Sequence, residues 1–304
     1  MERRGFIKRL GLGAAAVSAA GALSLPTFAK GKVAAAPFKL DYAPHFGMFK
    51  QHAPGGLVDE LRFMADQGFR SLEDNGLLKR PLAEQELIGK TLDQLGMRMG
   101  VFVVDGGDNW KVSLTTGKQE FLDNFVATCK ASVEAAKRVN AKWMTVVPGY
   151  FERNLPIGVQ TGHVIDALKR GAEIFEPQGL AMVLEPLSDN PDLFLRHADQ
   201  TYMICRAVGS PACKLLYDAY HMQRNEGNLI ATMEKTWSEI AYIQIGDNPG
   251  RKEPGTGEIH YGNVFQYIHK KGFTGILGME HGNALPGKEG ELALIDAYRK
   301  VDVK

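Results

Sequence analysis

Cysteine is scarce: Cys129, Cys205 and Cys213 are the only three in 304 residues. An odd number allows at most one internal pair, so no disulfide framework holds this fold. An excess of one charge sign is also missing, since 36 Lys plus Arg stand against 35 Asp plus Glu, a formal net charge of +1. Duplex-binding proteins usually carry a basic excess, so nucleic acid is not an expected partner. No internal repeat and no sign of a second domain interrupt the chain. No Gly-x-Gly-x-x-Gly follows the first apolar run, Phe38–Tyr42, which removes the dinucleotide-binding fingerprint. What is present is ordinary globular material, 44% hydrophobic with 34 Gly and 14 Pro, enough to bury a full core.

The N-terminus reads Glu2-Arg3-Arg4-Gly5-Phe6-Ile7-Lys8, followed by an uncharged Ala/Gly/Leu stretch from Leu10 to Ala29. This resembles a twin-arginine export signal, with Thr27-Phe28-Ala29 offering small residues to a signal peptidase and Ala34-Ala35-Ala36 a second candidate. The stretch is too poor in large apolar residues for a stable membrane anchor. The expected organisation is a signal over 1–29, a linker over 30–36 and one domain over 37–304. Removing residues 1–29 takes away Arg3, Arg4, Lys8, Arg9 and Glu2, leaving a net charge of −2. The resemblance implies the export machinery as a partner and the periplasm as the destination. That route carries folded cargo, often with a cofactor aboard.

From residue 37 onward, short β-rich runs alternate with helical patterns, which argues for a parallel sheet with crossover helices. Expected strands are Phe38–Tyr42, Arg70–Glu73, Arg98–Val104, Trp143–Val147, Ala181–Leu184, Cys213–Tyr217, Ala241–Ile245 and Gly275–Met279. Expected helices include Leu57–Gln67, Glu84–Leu95, Phe121–Val139, Thr161–Phe175, Leu229–Glu239 and Asn263–Lys270. Gly68, Gly96, Gly179 and Gly272 sit where left-handed helix caps belong. Eight β/α units in this length predict a single-domain α/β (β/α)₈ TIM barrel. The competing architecture is an open doubly wound sheet.

In such a barrel the chemistry sits at the C-terminal ends of the strands. Those ends read Leu72-Glu73-Asp74-Asn75, Leu184-Glu185-Pro186, Tyr217-Asp218-Ala-Tyr-His221, Gln244-Ile-Gly-Asp247 and Met279-Glu280-His281. Glu185, Asp218, Gln244 and Glu280 are each about one β/α unit apart and converge above adjacent strands. Three carboxylates and an amide oxygen form a hard, oxygen-only set suited to one divalent metal, Mg²⁺ or Mn²⁺, better than zinc. Without a cation, three such carboxylates repel one another and their pKa values rise. His221 can reach a bound hydroxyl or ligate a metal. Glu73 is assigned to substrate binding, while Asp247 and His281 are either supporting groups or loop surface. Trp110, Trp143 and Phe46 could wall a pocket. Five of the nine residues from Pro249 to Gly257 are Gly or Pro, which fixes a tight loop carrying Arg251, a cation suited to a carboxylate, phosphate or polyol oxygen.

Tyr217-Asp218-Ala-Tyr-His221-Met-Gln, Ile243-Gln244-Ile-Gly-Asp247, Pro249-Gly-Arg251-Lys-Glu-Pro-Gly-Thr-Gly-Glu258-Ile and Gly278-Met-Glu280 resemble the xylose isomerase-like barrels, hydroxypyruvate isomerase branch, over roughly residues 37–300. The resemblance implies a metal held by Glu185, Asp218, Gln244 and Glu280, the two glutamates doubling as acid/base groups. It also implies substrate contacts from His221 and Arg251. Two features set this chain apart from that branch: His281-Gly282-Asn283 after the last glutamate, and the export signal. Both bear on the substrate and neither on the metal site. The expected activity is isomerisation or epimerisation of a sugar or hydroxy-keto acid by proton transfer through a cis-enediolate. The alternatives are an exported epimerase or lyase acting on 3-keto-glycosides, a non-catalytic periplasmic sugar-binding protein and a nucleic-acid enzyme. A homo-oligomer is left open.

Overall fold

The computed structural model describes residues 35–304, so the expected export signal and most of the linker lie outside the described residues. Strand and helix alternate along the chain: β1 (Tyr42–Ala43), α1 (Leu57–Asp66), β2 (Ser71–Leu72), α2 (Leu82–Leu95), β3 (Arg98–Met99), β4 (Val101–Val103), α3 (Gln119–Val139) and β5 (Trp143–Val146). The second half continues with α4 (Ile157–Phe175), β6 (Ala181–Leu184), α5 (Ala198–Val208), β7 (Cys213–Asp218), α6 (Ala219–Asn225) and α7 (Leu229–Thr236). It ends with β8 (Ile240–Gln244), α8 (Tyr261–Lys270), β9 (Leu277–Gly278) and α9 (Gly287–Val301).

All ladders are parallel, in the order β1-β9-β8-β7-β6-β5-β4, with β2 paired to β3. β3 and β4 are one strand interrupted at Gly100, whose N–H donates to Leu72 O at 2.7 Å. A Cβ at Gly100 would lie 2.4 Å from the Tyr242 hydroxyl, so the chain passes there only as glycine. On the other flank, Glu73 N–H donates to Pro44 O at 2.9 Å and a parallel bridge joins His45 to Glu73. These contacts close the strands into a ring of eight positions, the expected barrel rather than an open sheet.

Alternation along the strands then decides what the ring encloses. Ala43, Val101, Val183, Leu216, Tyr242 and Ile276 form a buried apolar cluster with Trp143 packed against it, the floor of the interior. The residue two positions further along faces the same way. For β6, β7 and β8 that residue is Glu185, Asp218 and Gln244. After Ile276 come Gly278 and then Glu280. Ladder register pairs Asp218 with Gln244 and Gln244 with Gly278, so these positions share one layer.

The larger apolar cluster lies on the helix side of the strands. α4, for example, buries Val164, Ala167, Leu168, Ala172 and Phe175 along one stripe. Gly68, Gly96, Gly179 and Gly272 all take positive φ at or just past helix ends, as predicted. The first strand is displaced from its expected position: the N–H groups of Lys39 and Leu40 bond the Asp302 carboxylate instead of a neighbouring strand. Helices α5, α6 and α9 add to those the sequence pattern singled out. All three cysteines are buried and unpaired. No helix among the described residues is long and apolar enough to cross a membrane.

Candidate active site

β7 delivers Asp218, fully buried, at the point where the strand becomes α6. Its Oδ1 accepts the Tyr220 N–H at 2.8 Å, capping the helix and leaving Oδ2 directed elsewhere. One turn on, His221 Nε2 stands 3.4 Å from Asp218 Oδ2, 3.7 Å from Glu185 Oε1 and 3.8 Å from Asp189 Oδ2. Glu185, Asp218, His221 and Glu280 each offer one donor atom, all within 4.8 Å of one another, a cluster able to hold a metal ion. Glu185 Oε1 and Gln244 Oε1 are buried with no hydrogen-bond partner. Two orphaned oxygens beside crowded carboxylates fit a hard divalent cation.

The acids are not equivalent. Glu280 accepts from Asn75 Nδ2 at 3.0 Å and from Arg251 Nη2 at 2.9 Å, with a quarter of its side chain reaching solvent. Glu185 is more enclosed. Burial, then the charges of Glu280 and Asp218, push its carboxyl well above the usual range. Burial also raises Glu280, against the opposing pull of Arg251.

Burial depresses His221, which favours the neutral ring. Ser188 N–H donates to His221 Nδ1 at 3.2 Å and Ser188 Oγ stands 2.8 Å from the same atom. Arg251 Nη2, which can only donate, lies 3.1 Å from Nε2, so donors approach both ring nitrogens.

Arg251 enters the cluster from the loop after β8, its Nη2 also lying 3.2 Å from Asp218 Oδ2 and its Nε donating to Glu280 O at 3.1 Å. Burial opposes its charge, but Glu280, Asp218 and Glu185 outweigh that and hold it firmly cationic. The guanidinium also lies over the Tyr220 ring, 4.9 Å from its centroid. Asp247, fully buried, organises this loop. Its Oδ2 accepts the N–H groups of Gly255 and Gly257, both at 2.9 Å, and its Oδ1 that of Ile259 at 3.0 Å. A Cβ at Gly257 would lie 2.0 Å from Asn248 O, which explains one of the loop's glycines.

Glu73 lies beneath the cluster, 1% exposed, with Oε1 accepting from Gln244 Nε2 at 2.8 Å and Oε2 from the Tyr242 hydroxyl at 3.0 Å. Burial raises its carboxyl to about 7, against the lowering effect of those two donors. Both oxygens of this residue, assigned from sequence to substrate binding, are engaged by neighbouring side chains. His281 turns into the core, where Nε2 pairs with the Tyr298 hydroxyl at 2.8 Å and burial lowers its pKa to about 3. Trp143 packs against the floor cluster, while Trp110 is more than half exposed. Phe46 packs against the outer core, with Arg80 5.0 Å from its ring centroid. Asn75, Ser188, Asp189 and Tyr242 join the site without having been singled out. Asn75 ends the acidic strand-two motif, Ser188 and Asp189 follow Glu185 closely, and Tyr242 precedes Gln244 by one strand period.

Residues 61–300 match the family model described as xylose isomerase-like TIM barrel. The chain belongs to this family. Hydroxypyruvate isomerase of Escherichia coli (strain K12) is 30% identical over 194 residues, covering 62% of this chain and 72% of the relative. The 2-oxo-tetronate isomerase of Cupriavidus necator is 27% identical over 241 residues, covering 77% and 89%. Among solved structures, 3-keto-D-glucoside 4-epimerase from E. coli shares the fold with a TM-score of 0.71 at 19% identity, covering 86% of this chain and 99% of that one. The named sequence relatives are isomerases, and epimerases share the fold.

Proposed function

We propose that this protein is a divalent-metal-dependent isomerase or epimerase of small α-hydroxy carbonyl compounds, either sugars or hydroxy-keto acids. The observation that carries the reading is the pair of buried, unpartnered oxygens, Glu185 Oε1 and Gln244 Oε1, beside Asp218 and Glu280. Glu185, Asp218, Gln244 and Glu280 would hold Mg²⁺ or Mn²⁺. His221, which shares the cluster, is assigned to the substrate rather than to this set. A cation bound there supplies Lewis acidity that polarises a carbonyl oxygen and acidifies the neighbouring C–H. Glu185 and Glu280 flank that carbon, one removing the proton and the same or the other glutamate returning it. Return to the adjacent carbon of the cis-enediolate isomerises; return to the opposite face epimerises. His221 contacts a substrate oxygen, and Arg251 balances charge developing at the mouth.

Deuterium exchange tests this. With Mg²⁺ and D₂O, a panel of hydroxypyruvate, 2-oxo-tetronate, ketoses and 3-keto-glycosides should yield one compound labelled beside its carbonyl in the NMR spectrum. Metal and ligand binding with no exchange anywhere would overturn the enzymatic reading and leave a sugar-binding protein. Action on 3-keto-glycosides is the second reading. It is favoured by an open mouth, where the side chains of Glu280, Arg251 and Asp189 are 25%, 28% and 44% exposed. We also propose export to the periplasm on the strength of Arg3-Arg4 and the stretch that follows. Replacing both arginines with lysine should retain the protein in the cytoplasm, as fractionation would read.

A further inference from the structure

Gln244 is an ambiguous ligand, because an amide has an oxygen at one end and two N–H donors at the other, and only its surroundings decide which faces a cation. Here the surroundings are explicit. Nε2 donates to Glu73 Oε1 at 2.8 Å, and Oε1 is the buried atom with no partner. Turned over, the amide would set its oxygen against a carboxylate and point N–H groups at the cluster. Tyr242 holds the other oxygen of Glu73 from the floor of the barrel at 3.0 Å, so the carboxylate cannot rotate freely.

The fold makes room for this arrangement at two glycines. A Cβ at Gly278 would lie 1.7 Å from Glu73 Oε2, and one at Gly100 would lie 2.4 Å from the Tyr242 hydroxyl. A buried acid carries a desolvation cost that an aliphatic side chain of similar size avoids. Its retention at 1% exposure calls for a role beyond filling space.

We infer that Glu73 is a positioning residue, which fixes the polarity of the Gln244 amide from below and thereby sets the affinity of the cluster for a divalent cation. The inference rests on the metal-dependent reading above and names the determinant behind its one neutral ligand. Losing a side chain that hydrogen-bonds to a metal ligand typically changes metal affinity by about 10- to 100-fold.

The test is Mn²⁺ binding to the chelator-stripped full chain, read by calorimetry and by the EPR signal of free Mn²⁺, with circular dichroism as the folding control. Glu73→Gln presents an amide that no longer dictates the orientation of Gln244, and affinity should fall by about 10- to 100-fold. The exchange variant Glu73→Gln/Gln244→Glu keeps one acid and one amide in the same two places, with the acid now above. With a carboxylate at 244 there is no polarity to fix, so it should bind Mn²⁺ within about threefold of Gln244→Glu alone, whereas a purely structural role for Glu73 would cost affinity in both backgrounds. Folded Glu73→Gln binding Mn²⁺ within about threefold of wild type would overturn the inference while leaving the metal site intact. Wild type failing to bind Mn²⁺ would instead remove the metal-dependent reading itself. Should Glu73→Gln not fold, the Gln244→Glu background decides: affinity unchanged by adding Glu73→Gln supports the inference, and a loss of about 10-fold or more overturns it.

Discussion

Glu280 and Glu185 are the same residue type just past the ends of β9 and β6, yet their surroundings differ. Asn75 and Arg251 hold both oxygens of Glu280, while Glu185 Oε1 touches nothing that donates. Replacing Glu280 with Gln keeps the shape and removes the base, so deuterium exchange should fall by about 10²- to 10⁴-fold with unchanged circular dichroism. An all-oxygen ligand set also predicts that pulsed EPR of bound Mn²⁺ shows no coordinated imidazole nitrogen. A nitrogen signal lost in His221→Asn would reassign the fourth ligand. The raised carboxyls give a stability signature with a definite sign. Glu73, at about 7, and Glu185 and Glu280, also raised, keep protons in the folded state that the unfolded chain releases above about pH 4.5. Chelator-stripped protein should therefore be most stable below about pH 4.5 with respect to these groups, and lose that contribution as pH rises through 7. Mn²⁺ selects the ionised acids, so the gain in melting temperature on adding it should grow from pH 5 to pH 8. The convergence of Glu185, Asp218 and Glu280 was legible because each follows an apolar strand about one or more β/α units from the last. The part played by Glu73 was not, because it depends on Gln244 and Tyr242, some 170 positions away.

The loop between β8 and α8 shows what an element adds. Its density of Gly and Pro announced a constrained turn, and Arg251 announced a cation. The constraint itself comes from Asp247, whose partners are backbone N–H groups that no side-chain pattern can reveal. Asp247→Ala strands three donors from Gly255, Gly257 and Ile259. The expected loss is about 3 kcal/mol of stability, read by urea denaturation. Because Arg251 rides on this loop, the same variant should raise KM more than it lowers kcat. The strands were legible as a count but less so at their margins. β1 begins late because Asp302 takes the N–H groups of Lys39 and Leu40, a contact from the far end of the described chain. The split at Gly100 likewise follows from Tyr242 crossing the interior.

At the scale of the whole molecule, the barrel was legible from eight alternating units and the absence of a dinucleotide fingerprint. Its closure was not, since the seam is made of single bridges and backbone bonds with no sequence signature. Where the last strand meets the first, Asp302 clamps the start of β1, accepting from Lys39 N, Leu40 N and the Tyr42 hydroxyl at 2.7, 3.3 and 3.1 Å. Asp302→Ala should cost about 2 kcal/mol and lower the melting temperature by about 4–8 °C, as calorimetry would register. The junction of β1 with β9 also governs when the chain can finish folding. Most ladders join strands one unit apart and can assemble as soon as both have been synthesised. The clamp between Lys39 and Asp302 spans 263 positions and must wait for nearly the whole chain. Until then the nascent sheet exposes two bare edges, with only the slow search of a very long loop to bring them together. A second nascent copy offers the same edges at shorter reach. The hazard of this architecture is thus one of timing, and slower synthesis at high ribosome density would favour mispaired chains over closed rings.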